Sequence, residues 1–218
     1  MTIITSFVDF IRNIDQHLIE MIQNFGNWTY LILFIVIFCE TGLVFLPFLP
    51  GDSLIFASCA LAGKGTLNIG LLYLLFLSAA ILGDTVNYEI GKKLGNRVLS
   101  KPNRLIKKEH IEKTQNFFER HGGKSIILAR FIPIIRTFAP FVAGISEMHY
   151  FKFLSFNALG GFLWVTLFTV LGYFFGNIPF VKEHFSIFII CIIVVSILPA
   201  CYAIIESLIT KHKQTKTI

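Results

Sequence analysis

The sequence predicts an all-α polytopic membrane protein, with about four transmembrane helices and two proline-broken re-entrant hairpins in an inverted-repeat, transporter-like arrangement. Three observations carry that expectation. First, hydrophobic residues make up 55% of the 218 and the mean hydropathy is +0.71. Second, only 15% of residues are charged, where a soluble domain carries about 25%. Third, the cations are gathered beside apolar stretches rather than spread over a surface. The 24 phenylalanines exceed what one globular core of this size would bury. A soluble enzyme, a nucleic-acid-binding module and a disordered chain are excluded by these numbers.

The balance of 19 Lys and Arg against 13 Asp and Glu gives a net charge of +6, and position decides what it means. Ten cations lie between Lys92 and Lys124, and Lys211, Lys213 and Lys216 end the chain. Basic clusters flanking apolar segments mark the cytoplasmic side of a membrane protein. A loop of this kind can also bind anionic lipid headgroups.

Residues 1–27 mix Ile, Phe and Leu with Asp9, Arg12, Asp15 and Glu20, which suits an amphipathic helix lying in the interface. Asp9 and Arg12 interrupt the apolar run, and no cationic start precedes it, so it does not read as a signal peptide. The membrane-embedded domain is expected over 28–210. A spanning helix needs about 20 apolar residues. The stretches 21–39, 65–83, 153–181 and 184–205 meet that length without Asp, Glu, Lys or Arg.

Two further apolar stretches resist that description. Residues 41–63 contain Pro47, Pro50 and Gly51, with Asp52 directly after. Residues 125–146 contain Arg130 and Arg136 and are interrupted by Pro133, Pro140 and Gly144. Backbone freed by a break cannot face lipid, because each unsatisfied N–H or C=O costs several kcal/mol there. Re-entrant hairpins packed inside protein meet that demand. With the basic loop 92–124 in the cytoplasm, helix 67–90 runs inward and hairpin 125–146 dips in from the cytoplasm. Helices 153–177 and 184–207 then run out and back, and the tail 211–218 is cytoplasmic too. The first hairpin opens to the opposite face, while the charges of the N-terminal helix nearly balance and leave its side open.

The two halves share an order of features. Phe45-Leu-Pro-Phe-Leu-Pro-Gly-Asp52 is followed by Gly83-Asp84, Tyr88, Gly91 and Gly95. Phe131-Ile-Pro-Ile-Ile-Arg136, with Pro140 and Gly144, is followed by Gly161, Trp164, Gly172 and Gly176. Paired broken segments at matching positions point to a site between repeats near the bilayer midplane. The glycine spacings by themselves also suit ordinary close helix packing.

Glu40, the Phe-x-Pro-x-x-Pro-Gly-Asp run at 45–52, Gly-Asp-x3-Tyr-x2-Gly at 83–91 and Arg-Phe-x-Pro-x-x-Arg at 130–136 together resemble the DedA family, over roughly residues 28–180. Related domains occur in eukaryotic lipid scramblases of the endoplasmic reticulum. The resemblance implies a bacterial cytoplasmic-membrane protein that returns undecaprenyl phosphate, the cell-wall lipid carrier, across the bilayer with a link to the proton motive force. It places a functional acidic pair on Glu40 and Asp52 and an arginine pair on Arg130 and Arg136.

The residues support a compatible reading without that resemblance. A charge at the bilayer centre costs at least about 2.5–3.5 kcal/mol, so four of them must meet one another, water or a ligand. Two purely structural ion pairs, acid of hairpin one with arginine of hairpin two, are the plainer alternative. Functionally, arginine offers a planar fork that matches phosphate oxygens. Arg130 and Arg136 are six apart, about 240° around a helix, so only a break such as Pro133 would let both address one anion. Glu40 and Asp52 can take up protons, giving an exchange in which phosphate displaces an acid from arginine. Asp84 and Tyr88 are secondary candidates, more readily understood, with Asn87 and Glu89, as caps or hydrogen-bonding groups near the cytoplasmic helix end.

A proton-dependent small-cation or drug antiporter would suit the carboxylates but not the arginines. An uncoupled lipid scramblase would use the same residues without proton coupling. A lipid-phosphate phosphatase would need a Ser or His nucleophile cluster that the sequence lacks, so no enzymatic activity is expected. Cys39, Cys59, Cys191 and Cys201 lie in apolar stretches without Cys-x-x-Cys spacing, and the six histidines are scattered, which calls for neither disulfide nor metal. No cofactor is expected. The expected partners are a membrane lipid substrate (a prenyl phosphate or phospholipid) and protons, with no nucleic acid and with a homo-oligomer left open.

Overall fold

The computed structural model describes residues 14–43, 51–100, 122–175 and 178. Seven α-helices, a 3₁₀ turn and a π-helical turn make up the regular structure among these residues, and no strand is found among them.

Helix α1 (Ile14–Phe25) ends at Gly26, whose φ of 51° is the left-handed geometry that closes a helix. The Gly26 N–H reaches back to the Ile22 carbonyl at 2.8 Å. Helix α2 (Trp28–Gly42) starts afresh after it. The stretch 21–39 is therefore not one spanning helix, as its composition suggested. At 1.5 Å per residue, the 15 residues of α2 extend about 22 Å, short of the roughly 30 Å hydrocarbon core. Helix α1 lays Ile19, Met21 and Ile22 against the core, and Thr29 donates to the Met21 carbonyl at 3.3 Å. The expected interfacial helix is thus docked onto the protein over its described part. Residues 1–13 lie outside the described residues.

Helix α3 (Gly51–Ala62) is buried at all twelve positions. A helix apolar on every side belongs in an interior. Gly51 is its first residue, and Pro47 and Pro50 lie outside the described residues. Helix α4 (Ile69–Ser100) is the longest element at 32 residues, and its part Ile69–Leu94 is long and apolar enough to cross a membrane. The sequence reading ended this helix at 90 and began a loop at 92. The helix instead continues through Lys92, Lys93 and Arg97, because these are good helix formers and no proline occurs between Pro50 and Pro102. Residues 101–121 of the basic loop lie outside the described residues.

The second half starts with a 3₁₀ turn (Gly122–Lys124) and helix α5 (Ser125–Ala129). The chain then breaks over 130–132. Ile132 is extended, at φ −119° and ψ 105°, the conformation forced on a residue preceding proline. Pro133 takes the first position of helix α6 (Pro133–Ile145), where its missing N–H costs nothing. Pro140 and Gly144 do not break the chain as expected, since both lie within α6. Pro140 withholds the N–H that the Arg136 carbonyl would accept. One residue on, the Thr137 carbonyl is supported from outside by the Asn87 side chain at 2.9 Å. Helix α7 (Tyr150–Val170) runs on into a π-helical turn (Leu171–Phe175), and Tyr150–Phe174 is the second apolar segment of spanning length among the described residues. The expected helix 184–205 lies outside the described residues.

Packing between the halves is exchanged. Helix α3 of the first half packs on α7 and its π turn, and α6 of the second half packs on α4. Each contact is closed by a glycine on the long helix. A Cβ on Gly172 would overlap the Phe56 carbonyl, and one on Gly91 would overlap the Phe141 carbonyl. Gly144 answers Gly91, since its Cβ would strike the Tyr88 carbonyl and approach the Lys92 nitrogen at 2.7 Å. Helices α2 and α4 cross at Gly42 and Gly83, where a Cβ on Gly42 would lie 3.3 Å from the Gly83 Cα. Leu33, Ile37, Ile55, Leu72, Phe76 and Trp164 form the main core, and Tyr88, Ile126, Ala139 and Phe153 a second one.

Candidate functional site: two buried arginines and three carboxylates

Three of the four singled-out charged residues meet in the interior. Glu40 lies in the last turn of α2, Asp52 is the second residue of α3, and Arg136 lies in the first turn of α6. Arg136 donates from Nη1 to Asp52 Oδ1 at 2.9 Å and from Nη2 to the Glu40 carboxylate. Its guanidinium carbon stands 5.3 Å from the centroid of the Trp164 ring on α7, within range of a cation–π contact. One arginine is thus held by two acids and an aromatic face from three other helices.

Gly51 makes this possible. A Cβ there would overlap Glu40 Oε2. The glycine expected to break the chain therefore opens the space in which the Glu40 carboxylate rests against the start of α3. The positive end of a helix favours carboxylates at such a place.

Arg130 sits elsewhere. It caps α5 and donates from Nη2 to Asp84 Oδ2 at 2.6 Å, to Asn157 Oδ1, and at the long distance of 3.5 Å to the Ala80 carbonyl. Gly160 and Gly161 of α7 lie along its side chain; a Cβ on Gly160 would come 3.1 Å from Arg130 Cδ. The two arginines do not converge on one point. The break before Pro133 separates them, and each takes its own acid or pair of acids.

The pairs also differ in access. The Arg130 and Asp84 side chains are 2% and 3% exposed, whereas Arg136 and Asp52 are 11% and 12% exposed. Arg136 is the arginine an incoming group reaches more readily. Taking one partner from a buried ion pair costs about 3–5 kcal/mol, because the other charge is left uncompensated. A ligand that displaces a carboxylate here must therefore bring its own negative charge.

Asp84, expected to cap or hydrogen-bond near the cytoplasmic helix end, does form a hydrogen bond, but not at a helix end. Asp84 is buried in mid-helix and completes an ion pair. Asn87, one turn further, donates to the carbonyls of both Thr41 and Thr137. The Tyr88 hydroxyl donates to the Met148 carbonyl and its ring stacks on Phe153 at 4.5 Å, so it serves packing. Glu89 is only half-buried. Sequence reasoning did not single out Asn157, although an amide in the middle of the charge-free run 153–181 was a visible signal. Trp164 was noted only as part of the repeat.

Among the described residues the regular structure is all helical, two apolar helices reach spanning length, and charged side chains are buried where broken helices meet them, an arrangement consistent with a helical membrane protein. The chain belongs to the VTT-domain, or DedA, family: the VTT domain matches residues 49–174. It is 52% identical over 209 residues to the protein named "Protein DedA" of Escherichia coli K12, covering 94% of this chain and 95% of that one. It is 42% identical over 179 residues to the uncharacterized membrane protein Rv0364 of Mycobacterium tuberculosis H37Rv, covering 81% of this chain and 78% of that one. It is also 32% identical over 186 residues to the inner membrane protein YqjA of E. coli K12, covering 85% and 84%. No solved structure matches the chain.

Proposed function

We propose that this protein moves a phosphate-bearing lipid, undecaprenyl phosphate by the family resemblance, across the bacterial cytoplasmic membrane coupled to the movement of protons, with Arg136 receiving the phosphate. The observation that carries this reading is the double hold on Arg136. Glu40 and Asp52 both bond to its guanidinium, and this is the more accessible of the two buried arginines. A phosphate monoester presents two or more oxygens to the same fork. It replaces the carboxylates like for like, and a displaced carboxylate avoids a bare buried charge by taking up a proton. When the lipid leaves, the acids return to Arg136 and the protons are released. Arg130, held by Asp84 and Asn157, is the second phosphate-binding arginine of this reading and engages the lipid once Asp84 yields.

The architecture suits such a path. Helices α3 and α6, at twelve and thirteen residues, reach about 18–20 Å and cannot cross the bilayer alone. In this reading they are the inner limbs of two re-entrant hairpins, entering from opposite faces and exchanged between inverted repeats, with the charged site between them. The basic stretch 92–124 and the C-terminal tail face the cytoplasm. A small-cation antiporter fits less well, because both carboxylates are already engaged by a permanent cation.

The test is reconstitution in vesicles, following transbilayer movement of a labelled prenyl phosphate with and without a pH gradient. Protein-dependent movement that the gradient accelerates supports the reading. Movement indifferent to the gradient identifies an uncoupled scramblase, and movement indifferent to the protein removes lipid transport altogether.

A further inference from the structure

Asn87 is fully buried in the middle of α4, and its side-chain nitrogen donates to the Thr41 carbonyl at 3.3 Å and to the Thr137 carbonyl at 2.9 Å. Both partners are carbonyls, which only accept, so the amide must turn its NH₂ towards them; its two hydrogens serve one each. The two carbonyls belong to the residues that directly follow Glu40 and Arg136 in the chain. Thr41 lies in the last turn of α2, where carbonyls lack helical partners. Thr137 lies in the α6 turn that Pro140 weakens. A single side chain thus ties together the two backbone points from which the Glu40 carboxylate and the Arg136 guanidinium project. Glycine contacts hold the same helices against α4 on either side, at Gly42–Gly83 and Gly91–Phe141.

We propose that Asn87 is the positioning residue of the Glu40–Arg136 pair, a fixed pin on α4 that aligns acid with arginine so that the pair re-forms when a ligand departs. This rests on the reading of Arg136 as the phosphate-receiving group. The consequence differs from that of an ordinary packing residue. The aligned Glu40 competes with phosphate for Arg136. Releasing the pin weakens the competitor, so phosphate binds more tightly while its release, and with it turnover, slows.

The test compares wild type, Asn87→Leu, Glu40→Gln and the double variant in binding and transbilayer movement of a prenyl phosphate, with thermal unfolding in detergent measured on all four. Loss of two hydrogen bonds of ordinary strength predicts that Asn87→Leu binds the lipid about 5- to 100-fold more tightly than wild type. The same variant moves the lipid several-fold more slowly. In the Glu40→Gln background, where position 40 no longer competes as an acid and Asp52 is unchanged, the Asn87 substitution leaves affinity unchanged. Weaker binding in Asn87→Leu, repeated in the double variant, shows an ordinary structural residue and overturns the proposal. So does unchanged binding and movement. If Asn87→Leu does not fold, Asn87→Ser, too short to reach both carbonyls, is read in its place against the same outcomes. If wild type binds no prenyl phosphate, the lipid reading fails and the unfolding midpoints decide the positioning role: coupled losses between positions 87 and 40 support it, and additive losses overturn it.

Discussion

Arg130 is bound to Asp84 of helix α4 at 2.6 Å, and so is committed to an acid outside the two proline-containing segments 41–63 and 125–146. The pairing expected from sequence, hairpin acid with hairpin arginine, holds for Arg136 alone. The consequence is a division of access between the two arginines. Arg130 is enclosed by Asp84, Asn157 and two glycines, whereas Arg136 is shared between two acids at a less enclosed position.

The enclosed pair gives the first prediction. Asp84→Asn leaves Arg130 as a buried charge without its counter-ion, and should destabilise the protein by about 3–5 kcal/mol. Replacing both partners with apolar residues, Asp84→Leu with Arg130→Met, should recover most of that loss in thermal unfolding in detergent. A double variant as unstable as Asp84→Asn would show that the pair does not act as a unit.

Gly51 gives the second. Gly51→Ala places a methyl group where the Glu40 carboxylate lies, and overpacking of this kind costs about 1–3 kcal/mol. Shortening the opposing side chain should relieve it, so Gly51→Ala combined with Glu40→Ala should unfold at a higher temperature than Gly51→Ala alone. Additive losses would mean that the two positions do not touch.

The acids give the third. Glu40→Gln and Asp52→Asn keep the size of each side chain and remove its ability to carry a proton into the exchange. Each variant should insert and fold, yet lose the acceleration of prenyl phosphate movement by a pH gradient. Normal gradient dependence in both variants would rule out these carboxylates as the coupling groups.

The exchanged packing gives the fourth. Gly91→Ala and Gly172→Ala each push a methyl group onto a backbone carbonyl of the other half, at Phe141 and Phe56. Backbone cannot swing aside as a side chain can. Both should lower the unfolding temperature, whereas Gly70→Ala, whose Cβ would meet only the Asn68 side chain at 3.4 Å, should leave it within a degree or two. Equal behaviour of all three would contradict the close contacts.

Much of this arrangement was legible in the residues. The charge-free runs over 65–83 and 153–181 located the two long helices, because their length and composition have few other uses. Charges inside proline-broken apolar segments marked Glu40, Asp52, Arg130 and Arg136 as interior groups. What stayed hidden depended on distance in space. Nothing local tells that Arg130 reaches Asp84, 46 positions away, or that Asn87 touches carbonyls from both halves. Pro140 reads as a breaker, yet α6 continues through it. The split of 21–39 was visible in part, since Gly26-Asn27 is a turn signal, but the length of the stretch without a charge outweighed it.

The most direct test of the central claim is the affinity of the purified protein for a prenyl phosphate, measured for wild type and Arg136→Lys with the dephosphorylated prenol as control. Lysine keeps the charge but cannot supply two parallel hydrogen bonds from one plane. A charge-assisted hydrogen bond contributes about 1.5–3 kcal/mol, so its loss corresponds to roughly 10- to 100-fold in affinity. If Arg136 grips the phosphate, Arg136→Lys should fold, bind the prenol as wild type does, and bind the prenyl phosphate 10-fold or more weakly, about the loss of one such bond. Equal prenyl phosphate affinity in the two proteins would leave Arg136 as the structural counter-ion of Glu40 and Asp52 and contradict the account.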